Sequence, residues 1–155
     1  MIPREPQPQP APEADLPGRD GAGATVAVDP RSIRDAQCVY TPERDGEPDP
    51  GEIVWTWVPY EENDGRGKDR PVLVVAHENG PGLLALQLTS RRRDNQHEWV
   101  SLGSGPWDRQ GRESWVDLDR VLRIYPEGMR REACALDRAR FQTVVHLLQR
   151  RYAWR

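Results

Sequence analysis

Two residues of this chain are placed, by type and position, to hold an anionic group: Arg70 and Thr89. Arg70 follows a polar stretch and opens the apolar run Arg70 to His77, so its guanidinium emerges at the end of an extended segment. Thr89 and Ser90 close the next apolar run, which starts at Leu83. Between the runs lies Asn79-Gly80-Pro81-Gly82, a turn sequence, and the pair reads as a β-hairpin. Antiparallel strands set the start of one beside the end of the next, which makes Arg70 and Thr89 cross-strand neighbours. An arginine fork beside a hydroxyl supplies paired charge-assisted donors plus one more, a cradle for phosphate. The plainer alternative stays open: Arg70 pairs with Asp69 or a loop carboxylate, and Thr89 is simply a β-former.

Other chemistries find little support. The chain has no phosphate-binding Gly-rich loop ending in Lys-Ser/Thr, no His-Glu-x-x-His and no Cys-x-x-Cys. A Gly-x-Ser-x-Gly elbow is missing too. His77, His97 and His146 are isolated, and Cys38 and Cys134 lie far apart, so neither a metal site nor a disulfide framework is expected. One Lys, Lys68, stands against 21 Arg, a skew that reflects coding bias and is not read as phosphate binding. No run has the length of a membrane span, and the N-terminus has prolines where a signal peptide needs apolar residues. A cytoplasmic protein is the expectation.

The elements that must position Arg70 and Thr89 begin at Gly51. Residues 1–50 hold ten of the fifteen prolines, with 5 Arg against 10 Asp and Glu, and are expected to be a disordered or linker-like acidic leader. Within it, Val26 to Val28 and Cys38 to Tyr40 offer at most short edge strands or loose packing. Residues 51–155 form the expected domain, with 17 Lys and Arg against 15 Asp and Glu. In its first strand Ile53, Trp55 and Trp57 share one face, and Val54, Thr56 and Val58 share the other. Both faces being apolar suits a sheet that curls round a core. A polar loop, Pro59 to Asp69, leads to the hairpin. Further strands are expected at Glu98 to Leu102 and at Ser114 to Tyr125, the latter with a break near Asp119. After Asp137 as N-cap, Phe141, Val144, Val145, Leu148 and Tyr152 recur at helical spacing. The expected fold is mainly β: a small SH3-like curled antiparallel barrel of about five strands with a C-terminal helix.

The stretch GEIVWTWVPYEENDGRGKDRPVLVVA resembles the opening of MazF/PemK-type toxins of type II toxin–antitoxin systems. In those a Gly-acid-aliphatic strand is followed by a Gly-containing loop and an Arg-Pro step. LLALQLTS resembles their third strand, and Ser114 to Val121 a later one. The resemblance runs in order from Gly51 to Leu148. It implies a dimeric SH3-like barrel that cleaves single-stranded RNA without a metal or other cofactor and is neutralised by a small cognate antitoxin. It carries Arg70, Thr89 and Asp119 over as catalytic residues. The chain departs from the family pattern at Gln87, where proline is frequent, at Asp117, where some members have arginine, and at Lys68-Asp69 before the Arg-Pro step.

For RNA cleavage, Arg70 is the candidate to stabilise the phosphorane and Thr89 a donor to a non-bridging oxygen. Asp119, or Asp117, is the candidate base. Ser90, Arg91, Arg92 and Ser114 are expected to contact RNA, the arginines as a backbone-binding patch or as solvated loop charges. Trp107, in a Gly/Pro loop, is expected to stack on a splayed base, whereas Trp55, Trp99 and Trp115 are expected in the core. Two rival functions remain: a non-catalytic RNA- or protein-binding regulator, and a toxin of similar fold acting on DNA gyrase.

Overall fold

In a computed structural model, which describes residues 19, 21, 23–43, 47–60, 65–91 and 98–154, the apolar runs become strands of one antiparallel sheet. They are β1 (Val26–Val28), β2 (Glu52–Pro59), β3 (Gly67–His77), β4 (Leu83–Thr89), β5 (Trp99–Gly103), β6 (Ser114–Ile124) and β7 (Met129–Ala135). A single helix, α1 (Arg138–Tyr152), follows. The strand order is β1-β6-β4-β3-β2-β7, with β5 also paired to β6. The result is mainly β, a curled antiparallel half-barrel with one C-terminal helix.

Alternation along the strands explains why both faces are apolar. Ile53, Leu73, Leu84, Leu86 and Leu88 point to a core completed by Phe141, Val144 and Leu148 of α1. Val54, Val72, Val74, Ala85, Leu122 and Ile124 point the other way and form a second buried cluster. The curl joins opposite ends of the strand order. Thr25, just before β1, lies with its Oγ1 3.2 Å from Thr56 Oγ1 of β2, and Thr56 donates to the Gly128 carbonyl at 2.7 Å. All this buries two hydroxyls with their hydrogen bonds satisfied.

The helix forms where expected. Asp137 accepts from the Arg140 amide at 3.0 Å, and Ala153 ends the helix in the left-handed region at φ 57°. Phe141, Val144, Val145, Leu148 and Tyr152 are its buried face.

The structure differs from the expectation in three places. The sheet has seven strands: β7 is added to the five expected, and Val26–Val28 takes the short edge strand offered for it, as β1. β3 begins at Gly67, because β2–β3 pairing runs unbroken from Ile53↔Leu73 to Pro59↔Gly67, and the polar connection shortens to residues 60–66. Part of the segment expected to be leader also packs on the domain. Pro30 and Ala36 are buried, Trp154 Nε1 donates to the Pro30 carbonyl at 3.0 Å, and Tyr40 Oη donates to the Leu136 carbonyl at 2.5 Å. The Tyr40 ring so crowds Gly51 (φ +102°) that an added Cβ would sit 2.6 Å from it.

Candidate active site

The β3–β4 ladder ends at Val72↔Gln87, and Arg70 and Thr89 lie two residues beyond it on β3 and β4, where both line one cavity. On its other side Thr89 pairs with Trp115 of β6, which brings Ser114 to the same end of the sheet. These strand ends meet the β5–β6 loop around a cavity of about 320 Å³, lined among others by Arg70, Thr89, Ser90, Trp107 and Ser114. Thr89 is buried, and its Oγ1 accepts the Arg91 amide at 3.2 Å, a bond that turns the chain out of the strand. A hydroxyl holding that amide keeps its own proton to donate.

Trp107 lines the cavity as a wall and not as an open platform. It is 6% exposed, and its Nε1 donates to Ser114 Oγ at 2.9 Å. Gly105 lies against the ring so closely that a Cβ there would come within 2.1 Å of it. Trp55, Trp99 and Trp115 are half-buried where core positions were expected. Val100 and Val116 take the inward positions of β5 and β6, so their neighbours Trp99 and Trp115 face away. Trp55 lines the cavity, with the Arg130 guanidinium 5.5 Å from its ring centroid.

Asp119 is not brought to this cavity. It is exposed, its carboxylate pairs with Arg151 of α1, and its amide donates to Asp117 Oδ1 at 2.9 Å. Asp117 is buried. Arg91 is described and exposed, while Arg92 lies outside the described residues, as do Arg93 and His97. His77 ends β3, where its backbone exchanges hydrogen bonds with Gln37, and His146 is exposed on α1. Burial pushes the Cys38 thiol up to about 11, which leaves it protonated and unsuited to nucleophilic work.

Several lining residues carry no signal beyond residue type. Lys68 and Asp69 precede Arg70 on β3, and Asp108, Arg109, Gln110 and Arg112 come from the β5–β6 loop. Asp69 pairs with Arg130 of β7, and Asp108 Oδ2 pairs with Arg112 Nε at 2.9 Å. Gln87, an unusual residue for its position, accepts from Arg120 Nη1 at 3.2 Å, and Arg120 Nη2 donates to the Pro59 carbonyl at 2.5 Å. That strap ties β4 and β6 to the end of β2. Chemically, the cavity offers a guanidinium, a hydroxyl and flanking cations to an anion, with two carboxylates at hand. Among the described residues no three His, Cys, Asp or Glu side chains are grouped to hold a metal, and no helix is long and apolar enough to cross a membrane.

A family model described as PemK-like, MazF-like toxin of type II toxin–antitoxin system matches residues 49–151. No curated protein matches the chain in sequence. Among solved structures, an endoribonuclease in complex with its cognate antitoxin from a mycobacterial species is 18% identical, with a TM-score of 0.51 over 70% of this chain and 97% of that one. A MazE–MazF complex from Deinococcus radiodurans is also 18% identical, with a TM-score of 0.52 over 70% of this chain and 98% of that one. At such identity these likenesses speak for a common fold.

Proposed function

The chain belongs to the PemK-like, MazF-like toxins of type II toxin–antitoxin systems, and we propose that it is an endoribonuclease that cuts single-stranded RNA in the cavity lined by the first part of β3 and the end of β4. The observation that carries this reading is the presence of Arg70 of β3 and Thr89 of β4 in the lining of one cavity. A similar solved structure described as an endoribonuclease in complex with its cognate antitoxin supports it. The partners follow: RNA as substrate, a small cognate antitoxin as neutraliser, and a second copy in a cytoplasmic homodimer.

The chemistry uses the RNA's own 2′-hydroxyl. A carboxylate takes its proton, the 2′-oxygen bonds to phosphorus, and the bond from phosphorus to the 5′-oxygen breaks. A 2′,3′-cyclic phosphate remains, and the departing 5′-oxygen takes a proton from water. Arg70 stabilises the phosphorane, because its guanidinium stays charged and presents paired donors. Thr89 donates to a non-bridging oxygen. Asp69 is the proton acceptor on grounds of place: it lines the cavity, with Arg130 as its ion-pair partner, whereas Asp119 lies outside the lining. The other cavity carboxylate, Asp108, is committed to its own loop.

The test is purified full chain incubated with a long single-stranded RNA, with the cleavage ends mapped. Wild type should cut, and should cut equally in EDTA. Arg70→Ala and Thr89→Val should lose about 10²–10³-fold in rate, and Asp69→Asn about 10²–10⁴-fold, with melting curves unchanged. Cleavage by Arg70→Ala at the wild-type rate would remove the cradle from the mechanism. RNA bound but left whole by the wild type would make the protein a binding regulator.

A further inference from the structure

We propose that the loop from Pro106 to Arg112 is a rigid wall that grips the RNA backbone beside the cleaved phosphate, with Arg109 and Arg112 as its phosphate contacts. The inference rests on the endoribonuclease reading above and extends it to residues that reading does not use. The loop lines the same cavity as Arg70 and Thr89 but comes from a different part of the sheet, between β5 and β6.

The loop's fixed shape is the first observation. Buried Trp107 anchors it through Ser114, and Gly105 packs flat on the indole. Asp108 then holds the next turn: its Oδ1 accepts the Gln110 amide at 2.9 Å and its carbonyl accepts the Gly111 amide at 3.0 Å. Its Oδ2 accepts from Arg112 Nε at 2.9 Å. A guanidinium bound through Nε still carries its terminal NH₂ groups as donors, and the Arg112 side chain remains 55% exposed. Arg109 is exposed as well. Arg112, held this way, loses little further freedom when a ligand arrives.

Charge balance is the second observation. Among the described residues, the cavity lining carries four cations, Lys68, Arg70, Arg109 and Arg112, and two acids, Asp69 and Asp108. Both acids have arginine partners, Arg130 and Arg112. One cleaved phosphate at Arg70 does not use so many cations. A single strand carries one charge per nucleotide, so a strand passing through Arg70 brings its neighbouring phosphates to the loop. Gripping them needs no base contact, so this wall tracks the backbone irrespective of sequence.

The test is the salt dependence of cleavage, read between about 50 and 200 mM salt, where single-strand contacts contribute a slope of about −0.7 each. With a long single-stranded RNA of mixed sequence, Arg109→Ala/Arg112→Ala should raise KM and flatten the plot of log KM against log salt by about 1.4. Arg109→Lys/Arg112→Lys should restore most of that slope, which a purely structural role does not allow. Arg150→Ala, an equally exposed cation on α1, should leave it unchanged. A wild type that cuts, with the same slope in the double alanine variant, overturns this inference alone. A wild type that leaves RNA intact at every salt concentration overturns the endoribonuclease reading and this inference with it.

Discussion

Trp107 illustrates how far one side chain's job depends on its immediate backbone. A tryptophan among Gly103, Ser104, Gly105 and Pro106 suggests an exposed ring on a loop, free to stack on a base. The glycine at 105 instead lets the indole lie on the chain itself, and Ser114 takes its only polar atom. Trp107 is therefore a core residue of the loop. Trp107→Ala is expected to cost about 3–5 kcal/mol in denaturant unfolding, whereas Trp107→Phe, which keeps most of the ring, should cost about 1–2 kcal/mol through the lost hydrogen bond. Unfolding curves that coincide with wild type for Trp107→Ala would mean the ring is not structural. The shared place of Arg70 and Thr89 on one cavity was legible, because an antiparallel hairpin brings the first part of β3 beside the end of β4. Asp119 was not, because strand β6 shifts register against β4 between Leu86 and Leu88, and spacing along a shifted strand no longer reports which side a carboxylate takes. Trp55 was misjudged for a related reason: β2 breaks register with β7 beside it, and its ring lies half-buried under Arg130.

At the scale of elements, the strands that sequence pattern reveals are those with apolar side chains on at least one face and a turn at each end. β2, β3, β4 and β6 satisfy both conditions. β7 does not: Met129–Ala135 reads MRREACA, pairs with β2 through two register shifts, and owes its place to backbone hydrogen bonds. β1 is three residues long, and its apolar content looks no different from that of the loops around it. Yet the segment it belongs to has a structural role. Thr25 bridges to Thr56, Tyr40 caps the Leu136 carbonyl and packs 5.2 Å from the Phe141 ring, and the Pro30 carbonyl receives Trp154. Removing residues 1–50 deletes these contacts together and uncovers part of the helix-side core. A chain starting at Gly51 should melt about 10 °C or more below wild type, since each kcal/mol is worth a few degrees at this size. Equal melting of the Gly51 chain and the full chain would show that the segment only rests on the domain.

The whole molecule is two cores built from one set of strands. Successive residues of β2, β3 and β4 feed alternately the helix-side core and the cluster around Val72 and Val74. A strand cannot leave one core while keeping its place in the other, so the two should be lost in one step. Leu148→Ala empties space beneath α1, and Ile124→Ala does so in the second cluster; both side chains are fully buried, and each change should cost about 2–5 kcal/mol. If the cores are one cooperative unit, either variant lowers a single transition that far-UV circular dichroism and tryptophan fluorescence report at the same midpoint. Midpoints that separate in either variant would mean the cores unfold independently. The coupling also bears on function. Arg70, within β3, and Thr89, at the end of β4, sit on strands shared by both cores, so a core substitution lowers RNA cleavage only as the folded fraction falls and leaves the rate per folded molecule unchanged. Arg70→Ala should do the reverse, holding the midpoint while the rate collapses. Measuring both quantities on the same preparations separates a damaged fold from a damaged site.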